Sequence, residues 1–359
     1  MSWRVVDATN DHPVTLKVRP FLSGRDFHST HHENGAFRFA AEQNGERVRF
    51  QSYDGVPAVI AHSNGSYAHE PTWYHNFLYS EEQARGLDPV EDLASPGVFE
   101  FSLSKKPAVL MLAAEGHAIN DIESIEARHA HVRSIEQARR EYFSSSLERA
   151  ADAYLVTRGE GKTLIAGYPW FGDWGRDTFI ALRGLCIATG RLEEARDILL
   201  QWAGTVSEGM LPNRFPDRGE QPEFNSVDAS LWYIIAVNDY LVAAKQQPAL
   251  TDDCHTKKLR AAVEAILTGY NEGTRFGIRA DRDGLLSAGE HGQQLTWMDA
   301  RVDGSEITPR IGKPVEIQAL WLNALAIGAK FSPRWKRVFE KGRVAFENKF
   351  WNEHAGIPG

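Results

Sequence analysis

An N-terminal β-sandwich followed by a toroid of paired helices is the fold class the sequence predicts, a multi-domain β plus α chain, on three observations. Short strand-like runs punctuated by Asn-Gly and Asp-Gly pairs fill the first third. Helical periodicity then takes over and persists to the end. Within that helical part, every second segment is unusually apolar.

The strand-like runs lie at residues 14–18, 37–39, 48–50 and 73–77, and Asn34-Gly35, Asn44-Gly45, Asp54-Gly55 and Asn64-Gly65 supply the turns. Residues 47–51 alternate inward and outward side chains, as a half-buried antiparallel strand requires. These runs predict a meandering sandwich over residues 1–125. Ile125, His129, Val132, Ile135 and Ala138 next recur at helical spacing in a charged background, predicting a linker helix over 126–145. The remainder, 146–359, is read as seven helices, at 142–156, 177–189, 191–205, 227–245, 257–270, 314–330 and 333–351. Residues 231–237 are apolar all round whereas 191–200 keep a polar face, so inner and outer helices are expected to alternate.

Composition excludes several classes. The chain has 359 residues, 42% hydrophobic and 25% charged, which is neither disordered nor fibrous. Its 40 Lys plus Arg against 48 Asp plus Glu leave a formal charge of -8, with no basic arm, so nucleic acid is not an expected partner. Arg4, Asp7, Asp11 and His12 interrupt the start where a signal peptide needs an apolar stretch. The longest apolar run, 107–114, falls far short of the roughly 20 residues that span a bilayer. Cys186 and Cys254 are too few for a disulfide scaffold. The expected setting is therefore cytoplasmic, with no membrane. Oligomeric state is not readable from the sequence.

Long loops at 167–176, 209–225 and 280–312 are where a site is expected, because connections of this length are uncommon without a function. Eight of the ten tryptophans lie between Trp170 and Trp351, several beside acids, arginine and asparagine. A sugar ring offers an apolar face and a rim of hydroxyls, so it needs an aromatic platform flanked by acceptors and bidentate donors. Core packing is the better reading for Trp202, Trp335 and Trp351, and function for Trp174 and Trp297. The densest constellation runs from Ala166 to Arg183 and holds Trp174, Arg176 and Asp177, the last also a candidate helix cap. A second holds Asn213, Asn225, Ser226, Asp228 and Trp232, where local grammar alone favours an ordinary helix start. A third holds Trp297, Met298, Asp299, Asp303, Glu306, Arg310 and Glu316. A carboxyl beside Trp297 and Met298 is expected to be partly desolvated, which favours the protonated form of a general acid and makes Asp299 the best acid candidate. Glu316 sits at a helix start, where the dipole is a plain alternative. Histidines 28, 31 and 32, and 129 and 131, invite a metal reading, but surface histidines explain them as well and no metal is assigned.

The runs Gly172-Asp-Trp-Gly-Arg-Asp-Thr-Phe-Ile-Ala-Leu-Arg-Gly184, Leu211-Pro-Asn213, Asp228-Ala-Ser-Leu-Trp232, Thr296-Trp-Met-Asp299 and Pro309-Arg-x-Gly-Lys-Pro-Val-Glu316 resemble the amylo-alpha-1,6-glucosidase part of glycogen debranching enzymes. Ser23-Gly-Arg-Asp-Phe-His28 and Thr30-His-His-Glu-Asn34 are similar to the β-sandwich that precedes it in the prokaryotic proteins. The resemblance implies an (α/α)6 toroid after the sandwich and inverting hydrolysis of the glucose left at an α-1,6 branch of glycogen, limit dextrin or a related α-glucan. It implies no cofactor. It puts Asp299 at the general-acid position, with Trp174, Arg176, Asp177, Asn213 and Asp228 around the terminal glucose. Trp232, Trp297 and Glu316 join them as expected substrate contacts. The base glutamate of the family, in a Gly-Pro-Glu-Trp-like motif, has no counterpart in this sequence. The toroid is therefore expected to be incomplete, the chain inactive or weak alone, and residues 231–237 an exposed apolar edge. Another inverting α-glucosidase, a trehalase-like enzyme or a non-catalytic glucan-binding protein are the alternatives.

Overall fold

The computed structural model describes residues 1–6, 13–26, 29–103, 106–117, 124–168, 171–215, 221–247, 250, 252–352 and 357–358. Two compact units divide it, Met1–Phe143 and Ser144–Gly359.

The first unit contains β1 (Ser2–Trp3), β2 (Thr15–Val18), β3 (Ala41–Asn44), β4 (Arg47–Phe50), β5 (Val59–Ser63), β6 (Ser66–Leu78), α1 (Ser80–Ala84), β7 (Val90–Ser102), β8 (Ala108–Ala114) and α2 (Ile125–Tyr142). They form two antiparallel sheets, ordered β1-β8-β5-β4-β3 and β2-β7-β6. Val48 and Phe50 of β4 are buried between the partly exposed Arg47 and Arg49, which is the expected alternation. They share one apolar cluster with Ala61 and Leu110 of their own sheet and with Phe99 and Phe101 of the other. Each of the Val, Leu and Phe side chains contributes about 1.5–3 kcal/mol on burial.

Several expectations for this unit are corrected. Asn64-Gly65 does not close a hairpin, since it carries the chain from β5 in one sheet to β6 in the other. Its geometry explains the residues used. Asn64 Oδ1 accepts the Val109 N–H at 2.8 Å, and a Cβ on Gly65 would lie 2.6 Å from the Glu100 carbonyl oxygen. Residues 37–39 form no strand. Phe37 instead packs edge-on against Phe39 and Trp73, with ring centroids 4.8 and 5.2 Å away. The linker helix, capped by the Ser124 hydroxyl, ends at Tyr142 and buries Ile125 and Arg128, while Val132 and Ile135 of its apolar stripe stay exposed. His31 is a buried structural residue, its ring bonded to the Tyr53 hydroxyl at 2.6 Å and the Asp92 carbonyl at 3.0 Å. His28 lies outside the described residues.

The second unit runs α3 (Ser146–Asp152), β9 (Leu155–Arg158), β10 (Gly161–Leu164), α4 (Gly175–Leu182), α5 (Leu192–Ala203), α6 (Asp228–Ala244), α7 (Asp253–Glu272), β11 (Arg279–Ala280), β12 (Leu286–Ser287), β13 (Arg301–Val302), β14 (Ser305–Glu306), α8 (Val315–Gly328), α9 (Pro333–Phe350), β15 (Trp351–Asn352) and β16 (Ile357–Pro358). Each of the seven expected helices has its counterpart among the described residues. The first is shorter than expected, because Leu155 and Val156 leave it for a hairpin that turns at Gly159. α4 continues as a π-helical turn over Arg183–Ile187. The 280–312 loop carries two short hairpins, the second turning at Asp303-Gly304 with both residues at positive φ.

Helices α4, α6 and α8 touch in series, and α5, α7 and α9, each apolar on one face, pack against them. α6 and α8 are unusually apolar because neighbours cover much of their surface outside the face described below. Residues 231–237 are therefore buried apart from the partly exposed Trp232, Leu231 and Ile234 completely, and do not form the exposed edge expected of them. Trp202 and Trp335 are core residues as expected, whereas Trp351 is 51% exposed and begins a short strand.

The loop before the second constellation is seated on α7 by two glycines. A Cβ on Gly269 would lie 2.8 Å from Gly209 Cα and 2.9 Å from the Glu208 carbonyl oxygen, and both contacts are with backbone. Gly269→Ala is expected to destabilise this unit by about 1–3 kcal/mol, the usual cost of overpacking. Urea unfolding checks this; an unchanged midpoint would mean that the loop moves freely away.

Candidate active site

Two helix starts meet at the site. Trp174 precedes α4 in an extended conformation without a side-chain cap. The Gly175 N–H donates instead to the Asn213 carbonyl at 2.7 Å, and the Asn213 N–H to the Glu223 carbonyl at 2.7 Å. Trp174 also bridges to Arg214, whose guanidinium lies 5.5 Å from the indole centroid. Asn213 is buried, and its side-chain Oδ1 has no partner among the described residues. At the start of α6, the Ser226 hydroxyl accepts the Ala229 N–H at 3.1 Å and donates to Asp228 Oδ1 at 2.5 Å. Asp228 is thus both part of a helix start and a site residue, because its other oxygen takes Arg176 Nε at 2.7 Å.

Beyond these starts opens a cleft of about 520 Å³, within the usual size of a small-molecule site. α4 contributes Arg176, Ile180 and Arg183; α6 contributes Asp228, Trp232 and Ile235; α8 contributes Glu316, Leu320 and Asn323; Trp297 completes the lining. Each helix presents the same face, at positions i, i+4 and i+7. Five expected site residues therefore share one cleft: Arg176, Asp228, Trp232, Trp297 and Glu316. Asp299 joins them through a long 3.5 Å contact with Arg176 Nη1. Trp174 and Asn213 do not line the cleft and instead hold the start of α4. Arg183 and Asn323 were missed, although each lies two helical turns beyond a residue singled out and on its face.

Charge organises the cleft around Arg176. Its side chain is 14% exposed and that of Asp228 only 4%. Burial alone would lower the guanidinium pKa, but Asp228 and then Asp299 and Asp177 more than offset it, leaving it raised. Asp177 is not the cap of α4 and lies in its first turn. Although the residue keeps exposed surface, desolvation of its carboxyl raises its pKa against the pull of Arg176, with Asp228 and Asp299 adding to the rise. A raised folded-state pKa stabilises the fold while the group is protonated, and that contribution is lost as pH rises through it. Asp177→Asn is therefore expected to raise the melting temperature slightly at neutral pH. The gain should vanish in acid below the ordinary carboxylate value of 3.8; an equal shift at both pH values would contradict this sign.

The drying expected at Asp299 is not found. Trp297 is itself 58% exposed, and the Asp299 side chain 49%. The indole lies open at the rim of the cleft and does not cover the carboxyl. Glu316 is bound on one side to Arg310 Nη2 at 2.5 Å, and its Oε1 is buried without a partner among the described residues.

A cleft combining carboxylates, guanidinium and tryptophan at its rim has the composition of a saccharide site. Comparison with known families agrees. The family described as amylo-alpha-1,6-glucosidase matches residues 149–358, and the glycogen debranching enzyme N-terminal family matches residues 1–110. The chain belongs to the amylo-alpha-1,6-glucosidase family of glycoside hydrolases, joined to a debranching-enzyme N-terminal region. Among curated proteins it is similar to the glycogen debranching enzyme of Saccharomyces cerevisiae, 27% identical over 251 residues. That match covers 53% of this chain and 16% of the yeast protein, so the chain spans a small part of that relative. Among the described residues no helix is long and apolar enough to cross a membrane.

Proposed function

We propose that the cleft holds the terminal glucose of an α-glucan and that the chain contributes to hydrolysis of α-1,6 branches in glycogen or limit dextrin, with inversion and in the cytoplasm. The observation that carries this reading is the convergence of Arg176, Asp228 and Glu316 with Trp232 and Trp297 in one cleft. Asp299 is the general acid, protonating the branch oxygen as it leaves. Trp297 offers its open face to a sugar ring, while Asp228, Glu316 and Arg176 meet hydroxyls. The contact of α4, α6 and α8 in series supports an (α/α)6 arrangement, and the core shared by both sheets supports a β-sandwich over residues 1–125.

Inversion requires a second carboxyl about 6.5–9.5 Å from the acid to activate water. Asp228 has both oxygens engaged, by Arg176 and Ser226, and Glu316 has Oε2 held by Arg310 and only its buried Oε1 unengaged, so neither stands ready for that task. Turnover by this chain alone is therefore expected to be slow. The same pairing favours, as a second reading, a protein that binds glucan without cleaving it.

Calorimetric titration with phosphorylase limit dextrin, trehalose and maltose tests the substrate class. Binding of the dextrin in preference to the disaccharides supports the proposal, and preference for trehalose or maltose sinks it. Trp297→Ala should fold normally, since an exposed side chain away from packing changes stability by less than about 0.5 kcal/mol. Its dextrin affinity should fall about tenfold, the loss of one aromatic contact with its buried area.

A further inference from the structure

We infer that Arg310 is a positioning residue for Asp299, tying the segment that carries the acid to the first turn of α8. The inference rests on the hydrolase reading above. Arg310 Nη1 donates to Met298 Sδ at 3.0 Å, one residue before Asp299. Nη2 donates to Glu316 Oε2 at 2.5 Å, and the two side chains are only 20% and 30% exposed. A planar guanidinium reaches both acceptors at once, which a lysine ammonium cannot do in the same geometry.

The rest of the segment shows why such a tie matters. Upstream, the Val227 N–H donates to the Leu295 carbonyl at 2.9 Å, fixing the buried Leu295 and Thr296 to the start of α6. Downstream, the Ile307 N–H donates to the Ala300 carbonyl at 3.2 Å, closing the hairpin. Between these anchors the Asp299 carboxyl is half exposed and reaches Arg176 at 3.5 Å, a contact too long to fix its place. The Met298 N–H donates to Thr296 Oγ1 at 3.3 Å and holds the backbone locally, so the side-chain link from Met298 to Arg310 is what ties the acid's segment to α8. Glu316, expected from sequence to touch substrate, acquires a second task as the fixed end of that link.

A positioning role for a general acid has a signature that ordinary structural damage lacks. A sugar leaving group must take a proton as the C1–O bond breaks and departs as the neutral alcohol; fluoride departs from α-glucosyl fluoride as an anion and needs none. Turnover of isomaltose and of α-glucosyl fluoride should be compared for the full chain, Arg310→Gln, Arg310→Lys, Met298→Leu and Asp299→Asn. Azide is supplied as nucleophile, so that a base to activate water is not required. Arg310→Gln should lose at least about tenfold in kcat on isomaltose, since even a 1 Å misplacement costs about a hundredfold. Its kcat on the fluoride should stay within about twofold of the parent chain, because anion departure does not use the link, whereas any rise in KM from the released Glu316 falls on both substrates alike. Arg310→Lys should not restore the isomaltose rate. Met298→Leu, which keeps volume and removes the sulfur acceptor, should show the same selective loss to a smaller degree, providing a test that does not depend on Arg310→Gln folding. Equal losses on both substrates, or none, in the Arg310 and Met298 variants would overturn the inference while Asp299→Asn still separates the substrates. Failure of Asp299→Asn itself to separate them would overturn the hydrolase reading, and the inference with it.

Discussion

Arg176→Met is expected to destabilise the helical unit by about 3–5 kcal/mol, the range seen when one partner of a buried ion pair is removed. Asp228 is then left at 4% exposure with the Ser226 hydroxyl as its remaining hydrogen-bond partner among the described residues. Asp177 and Asp299, which also act on the guanidinium, would face Asp228 without the cation between them. Most of that cost belongs to the stranded carboxylate rather than to the lost pair. Arg176→Met combined with Asp228→Asn should therefore recover much of the stability, and urea unfolding of the single and double variants measures the coupling. A single variant as stable as the parent chain would show that solvent reaches Asp228 and that the cluster is not closed as described.

Asp299→Asn is expected to lower cleavage of α-1,6-linked glucose by about 10²–10⁴-fold, the usual contribution of a positioned general acid. Stability should hardly change, because the carboxyl is half exposed and its contact with Arg176 is long. Affinity for dextrin should likewise persist, since binding rests on Trp297, Trp232 and the carboxylates fixed by Arg176 and Arg310. Loss of catalysis without loss of fold or binding is the pattern that separates an acid from a structural carboxylate.

The helical unit was largely legible in the sequence because its layers differ in pattern. Residues 231–237 of α6 are apolar all round and α8 is unusually apolar, whereas α5 and α7 keep a polar face, and that contrast survives without any knowledge of partners. The cleft was legible in part. Arg176, Asp228 and Glu316 stand at helix starts beside recognisable loops, but Arg183 and Asn323 lie inside helices and become visible only once the shared i, i+7 face is known. The surroundings of Asp299 were not legible, since adjacency to Trp297 in sequence said nothing about which way that indole opens. The tie from Met298 to Arg310 spans a hairpin and depends on tertiary folding. In the first unit, turn pairs located strand ends but not sheet membership. Asn-Gly at 64–65 reads like a hairpin turn and instead passes between sheets, a choice made by the close backbone approach at Gly65.

The measurement that tests the account most directly is glucose release from phosphorylase limit dextrin by the chain and its Asp299→Asn variant, at enzyme concentrations high enough to follow slow turnover, with dextrin affinity measured on the same samples. The account predicts equal affinity within about twofold and release at least about a hundredfold slower from the variant. Equal release from both proteins would contradict it, and would move the acid, and with it the catalytic assignment, away from the cleft around Arg176.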